Sequence, residues 1–275
     1  MPEGHTIHRL AREHQQLFGG EVVRASSPQG RFADGAALID RKPLTGTDAH
    51  GKHLFHRYGD GRGRRDGGRW LHVHLGLYGG FRTGEVPAPV PIGQVRLRLV
   101  GPRHWTELRG PTACEVITDA DKDALHARLG PDPLRDDADP DQAWTRIRRS
   151  RTGIGRLLMD QQVLAGVGNV YRAEVLFRHG IDPHLPGRDL DHATWLAMWH
   201  DLRALMREGM RIGRIDTVRP DHTPEAMGRP PRVDNHGGEV YVYRRHGQPC
   251  LLCGGEVRTE VVAGRNLYWC PSCQP

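Results

Sequence analysis

The sequence has no long apolar run, no internal repeats and few cysteines. Because a membrane-spanning helix needs about 20 consecutive apolar residues, none is predicted. The N-terminus lacks the apolar core of a secretory signal peptide, which predicts a cytoplasmic protein. Of the five cysteines, four lie between residues 250 and 273. In a reducing compartment, such a cluster is typical of a metal site rather than of disulfides.

Acidic residues do not balance the basic ones. The formal net charge is +6, and arginine carries most of the positive charge. A basic surface favours polyanionic partners, with nucleic acid first, although a merely soluble basic protein has the same charge. The 275 residues are enough for two domains and a small additional module.

The first half of the chain has the pattern of one helix followed by many short strands. Apolar residues at helical spacing predict a helix over residues 5–18, which Gly19 and Gly20 end. From residue 21 to about residue 118, short β-type runs alternate with Gly and Pro. The breaks at 60–68 and 84–93 are interpreted as hairpin loops. This pattern is typical of a β-sandwich or barrel.

The spacing of apolar residues changes from a strand pattern to a helical one after a short predicted helix at 119–130. The acidic, proline-rich stretch 131–141 is interpreted as a linker. Helical periods follow, and segment 216–238 has so little apolar pattern that we interpret it as a mobile loop. The predicted helices lie within 143–150, 156–166, 169–180 and 192–209. The predicted domains are 1–130, 131–238 and 239–275.

The C-terminal cysteines form two Cys-x-x-Cys pairs separated by sixteen residues. Four thiolates at this spacing predict one structural zinc ion with tetrahedral coordination. The ligands are Cys250, Cys253, Cys270 and Cys273. Between the pairs, Gly264-Arg265-Asn266 predicts a turn whose Arg265 is suited to grip a phosphate. The fifth cysteine, Cys114, is interpreted as a small buried side chain.

Two further segments are candidate phosphate sites. In the stretch 164–171, one helix is predicted to stop at Gly166, and Asn169 is predicted to cap the next helix. Backbone N–H groups at such a helix start can bind phosphate, and Gly168 allows close approach. Lys52, at the start of a strand, is a second candidate, although a surface lysine is the common alternative.

Histidines are concentrated in the strand region. Because no carboxylate or spacing singles out a metal site, we interpret them as a solvated or hydrogen-bonded set. They are His50, His53, His56, His72 and His74.

The first residues can carry covalent chemistry. Because Pro2 follows the initiator Met1, removal of Met1 would leave a secondary amine in a ring, which is partly neutral near physiological pH. A neutral amine can attack an electron-poor carbon to form a Schiff base, and Glu3 can transfer a proton. Many chains begin with Met-Pro, so this motif becomes specific only together with the others.

The motifs together, in this order, resemble the formamidopyrimidine-DNA glycosylase and endonuclease VIII family, with the closest likeness to its actinobacterial endonuclease VIII-like members. The resemblance covers essentially the whole chain. It is carried by residues 2–4, 51–52, 73–77, 157–160, 166–171, the zinc-finger cysteines and 264–266. It implies an α+β multidomain fold with an N-terminal helix and β-sandwich, a helix–two-turn–helix domain and a C-terminal zinc-finger β-hairpin.

The resemblance also implies a bifunctional base excision repair enzyme. A damaged base is flipped out of double-stranded DNA, Pro2 attacks the anomeric carbon, Glu3 donates a proton to the sugar oxygen, and β,δ-elimination breaks the strand. Lys52, Asn169 and Arg265 match positions that hold phosphates around the flipped nucleotide, and Lys52 and Arg265 are counted with the catalytic residues.

Two more residues match positions at the gap left by the flipped base. Leu77 corresponds to an apolar wedge, and Arg109 is aligned with a residue that faces the orphan base. A monomer acting on damaged DNA, with no membrane partner, is expected.

The sequence departs from the purine-specific branch of the family at three places that bear on which damaged base is removed. His5 and Thr6 stand where the purine-specific branch has Pro and Glu, Gly155 stands at a lysine position, and residues 107–111 lack an Arg-Phe pair. We interpret these departures as favouring oxidised pyrimidines. The alternatives are the same chemistry on oxidised purines such as 8-oxoguanine, and a non-catalytic zinc-finger DNA-binding protein.

Overall fold

The computed structural model describes residues 2–59, 69–233 and 238–275. They form two compact units. The first contains residue 2 and residues 6–128, and the second contains residues 3–5 and 129–275. The loop predicted at 60–68 lies outside the described residues.

The predicted N-terminal helix is confirmed as α1 (Gly4–Phe18). It buries Ile7, Leu10 and Phe18 completely or nearly so. Gly20 follows with a φ of 78°, a left-handed conformation that glycine adopts without strain, so the helix ends where the sequence predicts.

The remaining described elements of the first unit are eight antiparallel strands and two helices. In chain order they are β1 (Val22–Ser26), α2 (Ala33–Ile39), β2 (Lys42–His50), β3 (His53–Tyr58), β4 (Arg69–His74), β5 (Gly80–Glu85), β6 (Val95–Val100), β7 (His104–Arg109), β8 (Ala113–Ile117) and α3 (Asp119–Arg128). The hydrogen-bonded order is β5-β7-β6-β1-β2-β3-β4-β8.

Strand β1 belongs to both halves of this order. Val22 and Val23 pair with β2, whereas residues 24–26 pair with β6. The strand therefore passes from one sheet to the other, and leucines from both sheets fill one apolar core together with α1. The predicted β-sandwich is confirmed.

The prediction of a hairpin loop at 84–93 is wrong. Strands β5 and β6 both pair with β7 and do not pair with each other. The segment is instead a longer connection between strands on either side of β7. Periodicity identifies strands but carries no information on pairing, which is why the sequence suggested a hairpin.

The second unit contains helices and one hairpin. In chain order its elements are α4 (Pro140–Ile147), α5 (Ile154–Leu157), α6 (Asn169–Arg178), α7 (His192–Ile212), α8 (Pro224–Met227), β9 (Arg258–Val262) and β10 (Arg265–Trp269). No helix among the described residues is long and apolar enough to span a membrane.

Helix α6 is the centre of this unit. Residues 169–177 are all buried. Tyr171 and Val175 pack into a core with the tryptophans of α7, while Val170 and Phe177 pack into a second core with Tyr241 and the cysteine region. A helix buried on every side must satisfy its polar groups internally, which makes its polar residues informative.

The interpretation of 131–141 as a linker is wrong at its start. Residues 131–133 are buried, and Leu134 packs against the helical core. The Asp132 carboxylate accepts a hydrogen bond from the Leu134 N–H at 2.9 Å, and the Pro131 carbonyl accepts one from the Ala165 N–H. Proline and acidic residues thus build a tight turn here.

The predicted helix over 156–166 is also wrong beyond Leu157. The Gln161 side chain donates to the carbonyls of Met159 and Val167 and accepts from the Gly166 N–H, so it replaces helical hydrogen bonds by turns.

The predicted mobile loop at 216–238 contains two ordered turns, a 3₁₀ turn at Pro220–His222 and α8. Residues 234–237 of this segment lie outside the described residues.

Candidate active site

The Glu3 carboxylate binds the first turn of α6. One oxygen accepts the Gly168 N–H at 2.9 Å, and the other accepts the Val170 N–H at 2.8 Å. The Tyr171 N–H lies 3.5 Å from the first oxygen. A helix start has unpaired N–H groups and a positive dipole end, so it stabilises the ionised carboxylate. Glu3 is completely buried.

Two glycines make this docking possible. A Cβ atom at Gly168 would lie 2.4 Å from the Glu3 carboxyl carbon, and one at Gly4 would lie 2.9 Å from the Gly166 Cα. The Gly4 N–H also donates to the Gly166 carbonyl at 2.8 Å. The sequence Gly166-Val167-Gly168 therefore provides the space that Glu3 and the chain behind it occupy.

The prediction that Asn169 caps α6 is wrong. Gly168 is the N-cap, and Asn169 is the first helical residue. The Asn169 side-chain amide instead donates to the Asn266 carbonyl at 2.9 Å. Glu3 already binds the N–H groups that a capping side chain would bind, so Asn169 is available to hold the turn between β9 and β10.

Arg172 joins the same contact and was missed by sequence reasoning. It donates to the Asn266 carbonyl at 3.0 Å, to the Gly155 carbonyl at 3.3 Å and to the Asn169 side chain. Burial lowers its pKa to about 10. The sequence feature that could have identified Arg172 is its position three residues after Asn169, on the same face of the helix.

Arg265 begins β10 at this turn, and its side chain is exposed. Arg172 binds the carbonyl of the next residue, Asn266, and the charge of Arg265 contributes to the lowered pKa of Arg172. The structure thus brings together Glu3, Gly168, Asn169 and Arg265 in the second unit.

The four C-terminal cysteines converge. Their sulfur atoms all lie within 4.8 Å of one another, with Cys253 and Cys270 at 3.4 Å and Cys250 and Cys273 at 3.9 Å. Backbone hydrogen bonding at Gly255 lowers the pKa of Cys253 to about 7. Four thiols at these separations fit tetrahedral coordination of one zinc ion, with no ligand position left for substrate.

Three predicted site residues lie in the first unit. Lys52 is half-buried in the two-residue turn between β2 and β3. Leu77 lies between β4 and β5 and is 48% exposed. The Arg109 guanidinium is 2.7 Å from the Glu107 carboxylate at the end of β7.

The loop of Leu77 contains a second exposed hydrophobic side chain that the sequence did not suggest. Tyr78 is 91% exposed, beside Leu77. Its carbonyl oxygen would lie 3.3 Å from a Cβ atom at Gly110, so the loop is adjacent to the end of β7 that carries Arg109.

Of the five histidines predicted as a solvated or hydrogen-bonded set, three make ring hydrogen bonds: His53, His56 and His72. His14 and His56 are 3.0 Å apart in the core, and His53 and His72 are 2.8 Å apart. Among the described residues, only the cysteine cluster has three or more ligands close enough to hold a metal.

Comparisons with known proteins agree with this architecture. Three family profiles match, described as the formamidopyrimidine-DNA glycosylase N-terminal domain at residues 1–111, the H2TH domain of the same enzymes at 129–220, and a zinc finger found in FPG and IleRS at 247–275. "Endonuclease 8 1" of Mycobacterium tuberculosis is 53% identical over the full length of both chains. "Formamidopyrimidine-DNA glycosylase" of Thermus thermophilus is 30% identical over 100% of this chain and 98% of its own.

The chain belongs to the formamidopyrimidine-DNA glycosylase and endonuclease VIII family. Members of this family are DNA glycosylases with AP lyase activity, so the protein is an enzyme of base excision repair. Its zinc finger holds one structural zinc ion.

Solved structures support the family fold. Two complexes of Lactococcus lactis Fpg, one with DNA containing N7-benzyl-Fapy-dG and one with DNA containing an oxidised pyrimidine, match with TM-scores of 0.78 and 0.77. Their identities are 24% and 23%, over 99% of both chains in each case. At this identity the likeness concerns the fold alone.

Proposed function

We propose that the protein excises oxidised pyrimidines from double-stranded DNA and then cleaves the strand, through a Schiff base formed by the Pro2 amine after removal of Met1. The observation that supports this most strongly is the docking of Glu3 on α6. It fixes a buried carboxylate one residue from the secondary amine, which is the arrangement that nucleophilic catalysis with proton transfer needs.

The proposed first step uses the ionised state of Glu3. The carboxylate takes a proton from the Pro2 ammonium, and the neutral amine attacks the anomeric carbon. Glu3 then returns the proton to the sugar ring oxygen as the ring opens. The base leaves with the remaining proton of the amine, and an iminium joins Pro2 to the sugar. Loss of two further protons from the sugar, one in each elimination, breaks the strand on both sides. The N–H groups of Gly168 and Val170 hold the carboxylate in place throughout.

Phosphate contacts are assigned to four residues. In the second unit, Asn169 and Arg265 are proposed to hold phosphates next to the flipped nucleotide, while the fourth residue, Gly168, contributes indirectly because its N–H binds Glu3 and not DNA. Lys52 is proposed to hold a phosphate in the first unit. The positive charges of Lys52 and Arg265 also attract DNA over distance.

The exposed loop of Leu77 is proposed to fill the gap left by the flipped base. A half-exposed leucine next to an exposed tyrosine is unusual on a soluble surface and suits an apolar wedge between base pairs. Arg109, in the neighbouring strand end, is proposed to face the orphan base. The domain boundaries 1–130, 131–238 and 239–275, monomeric action and a cytoplasmic location belong to the same proposal.

The lesion class rests on the residues at positions 6 and 155. Thr6 supplies no second carboxylate and Gly155 no ammonium, so the groups that would contact a large oxidised purine are absent. Base release is to be measured on matched duplexes containing dihydrouracil, thymine glycol or 8-oxoguanine. Faster release of the pyrimidines is expected. Release of 8-oxoguanine at an equal or higher rate would contradict the assignment and favour the purine alternative.

A further inference from the structure

A hydrogen-bonded chain of side chains crosses three strands of the first unit. Glu115 on β8 faces His72 on β4, and the Glu115 carboxylate lies 2.9 Å from His72 Nδ1. The other ring nitrogen of His72, Nε2, lies 2.8 Å from His53 Nδ1 on β3. The chain therefore runs from the exposed edge strand β8 to the first residue of β3, which follows Lys52.

The order of donors in this chain is fixed by chemistry. A carboxylate only accepts, so His72 Nδ1 carries the proton that Glu115 binds. Burial lowers the pKa of His72, and a neutral ring must then accept at Nε2. His53 therefore donates from Nδ1 and keeps its lone pair on Nε2. Burial, with the charges of neighbouring histidines, lowers the pKa of His53 to about 3, so this ring is also neutral.

The far end of the chain adjoins Lys52, which directly precedes His53 in the turn between β2 and β3. His53 is paired with His74 across β3 and β4, and the two ring centroids lie 4.9 Å apart. Burial and the charges of His72 and Lys52 lower the pKa of His74. The His53 and His74 rings therefore lie at the same end of the hairpin as the Lys52 turn.

We propose that Glu115, His72 and His53 are positioning residues for Lys52: the directed hydrogen bonds fix the His53 ring, which fixes His74 and so the path of the lysine side chain towards the phosphate. This inference rests on the proposed function of Lys52. Neutral His53 and His74 rings also do not compete with Lys52 for the anion, as protonated imidazoles would.

The first test is spectroscopic. Nitrogen-15 NMR of the histidine rings distinguishes the Nδ1–H from the Nε2–H tautomer. Both His53 and His72 are expected as Nδ1–H, the less common form of free histidine. In Glu115→Gln the side-chain amide can donate to His72 Nδ1, so both rings are expected to change to Nε2–H. Nε2–H rings in the unmodified protein would overturn the inference.

The second test is a double-mutant cycle on affinity for a duplex with a stable abasic-site analogue. Lys52→Met should weaken binding about tenfold, the loss of one charged phosphate contact. Glu115→Gln should weaken it about threefold to tenfold through displacement of Lys52. If Glu115 acts through Lys52, adding Glu115→Gln to Lys52→Met should change the dissociation constant less than about twofold.

Asp123→Asn is the control for charge, because Asp123 is an exposed acid in the same unit and makes the same change in net charge. It should leave binding unchanged. Additive effects of the two substitutions, or a Glu115→Gln effect no larger than that of the control, would overturn the positioning role while Lys52 keeps its proposed function. No loss in Lys52→Met itself would overturn both.

Discussion

The two compact units keep different polar groups in their interiors. The first unit buries imidazoles, and burial lowers the pKa of His14 to about 4 and that of His56 well below its usual value, so these rings are neutral. The second unit buries the carboxylates of Glu3 and Glu174 completely and surrounds each with backbone N–H donors. The first unit also buries the Glu107 carboxylate, but there the partner is the Arg98 guanidinium at 3.0 Å, whereas backbone N–H groups hold the two carboxylates of the second unit.

The two buried carboxylates look alike but differ in their surroundings. Glu174 accepts the N–H groups of Tyr241, Val242 and Tyr243 and the Thr217 hydroxyl, all within 2.9 Å. These donors tie α6 to the segment that leads into the zinc finger. Glu3 has similar donors but follows the candidate nucleophile. Burial and hydrogen bonding alone therefore do not distinguish a structural carboxylate from a catalytic one; the neighbouring reactive group does.

Glu3→Gln should have the largest effect and separate the two carboxylates most clearly. The amide can still accept one N–H but cannot carry a proton, so base release should fall about 10²–10⁴-fold. The melting temperature should also fall, because the amide leaves one of the buried N–H groups without an acceptor, so base release is compared per folded molecule. Single-turnover base release and thermal unfolding check both statements. Base release within tenfold of the unmodified protein would remove Glu3 from the mechanism.

Glu174→Gln should lose stability without a comparable loss of catalysis. Loss of the charge that receives four hydrogen bonds should reduce the free energy of unfolding by about 3 kcal/mol. The rate of base release per folded molecule should change less than tenfold. Denaturant unfolding with parallel active-site titration measures the two quantities. A catalytic loss as large as that of Glu3→Gln, in a stably folded variant, would erase the proposed distinction.

Low pH should reduce the stability of the first unit through its buried imidazoles. Because the folded-state pKa of His14 is about 4 and the unfolded value is 6.5, the unfolded state binds more protons below pH 6.5. The stability is therefore fully present above pH 6.5 and is lost as the pH falls. For His14 alone, the free energy of unfolding should decrease by about 2 kcal/mol at pH 5. Denaturant unfolding at pH 8, 6 and 5 tests this. In His14→Gln the stability should decline less with falling pH. An identical decline in the variant would show that other groups cause it.

Arg265→Ala should have the smallest effect. The variant should bind damaged and undamaged duplexes about tenfold more weakly, and the slope of log affinity against log salt should decrease by about 0.9 for the lost phosphate contact. Arg258→Ala, on the neighbouring strand of the hairpin, is a matched control with little expected change. A loss confined to damaged DNA would indicate a contact with the lesion instead.

Much of this arrangement could be predicted from the sequence because the signals are local. Periodicity gave α1, α6 and α7, and the cysteine spacing gave the zinc centre. The family resemblance singled out Pro2 and Glu3. The docking of Glu3 on α6 joins residues 165 positions apart, and no periodicity reports such a contact.

The wrong predictions have the same cause, because each of them depends on contacts that local sequence patterns do not report. Asn169 was predicted to cap the helix because asparagine is favoured at the N-cap position, but the distant Glu3 carboxylate binds the N–H groups instead. The turns at 158–166 depend on one glutamine side chain, and the pairing of β5 and β6 with β7 depends on tertiary packing. Arg172 was overlooked because a buried arginine cannot be distinguished from a surface one by sequence alone.

The central claim is that the Pro2 nitrogen forms a covalent link with the sugar. The most direct test is to incubate the protein with a thymine glycol duplex, reduce with borohydride and map the adduct by mass spectrometry, after verifying that the chain begins at Pro2. The account predicts an adduct on the Pro2 nitrogen. An adduct on another residue, such as Lys52, or no adduct with either this duplex or an abasic one, would contradict it.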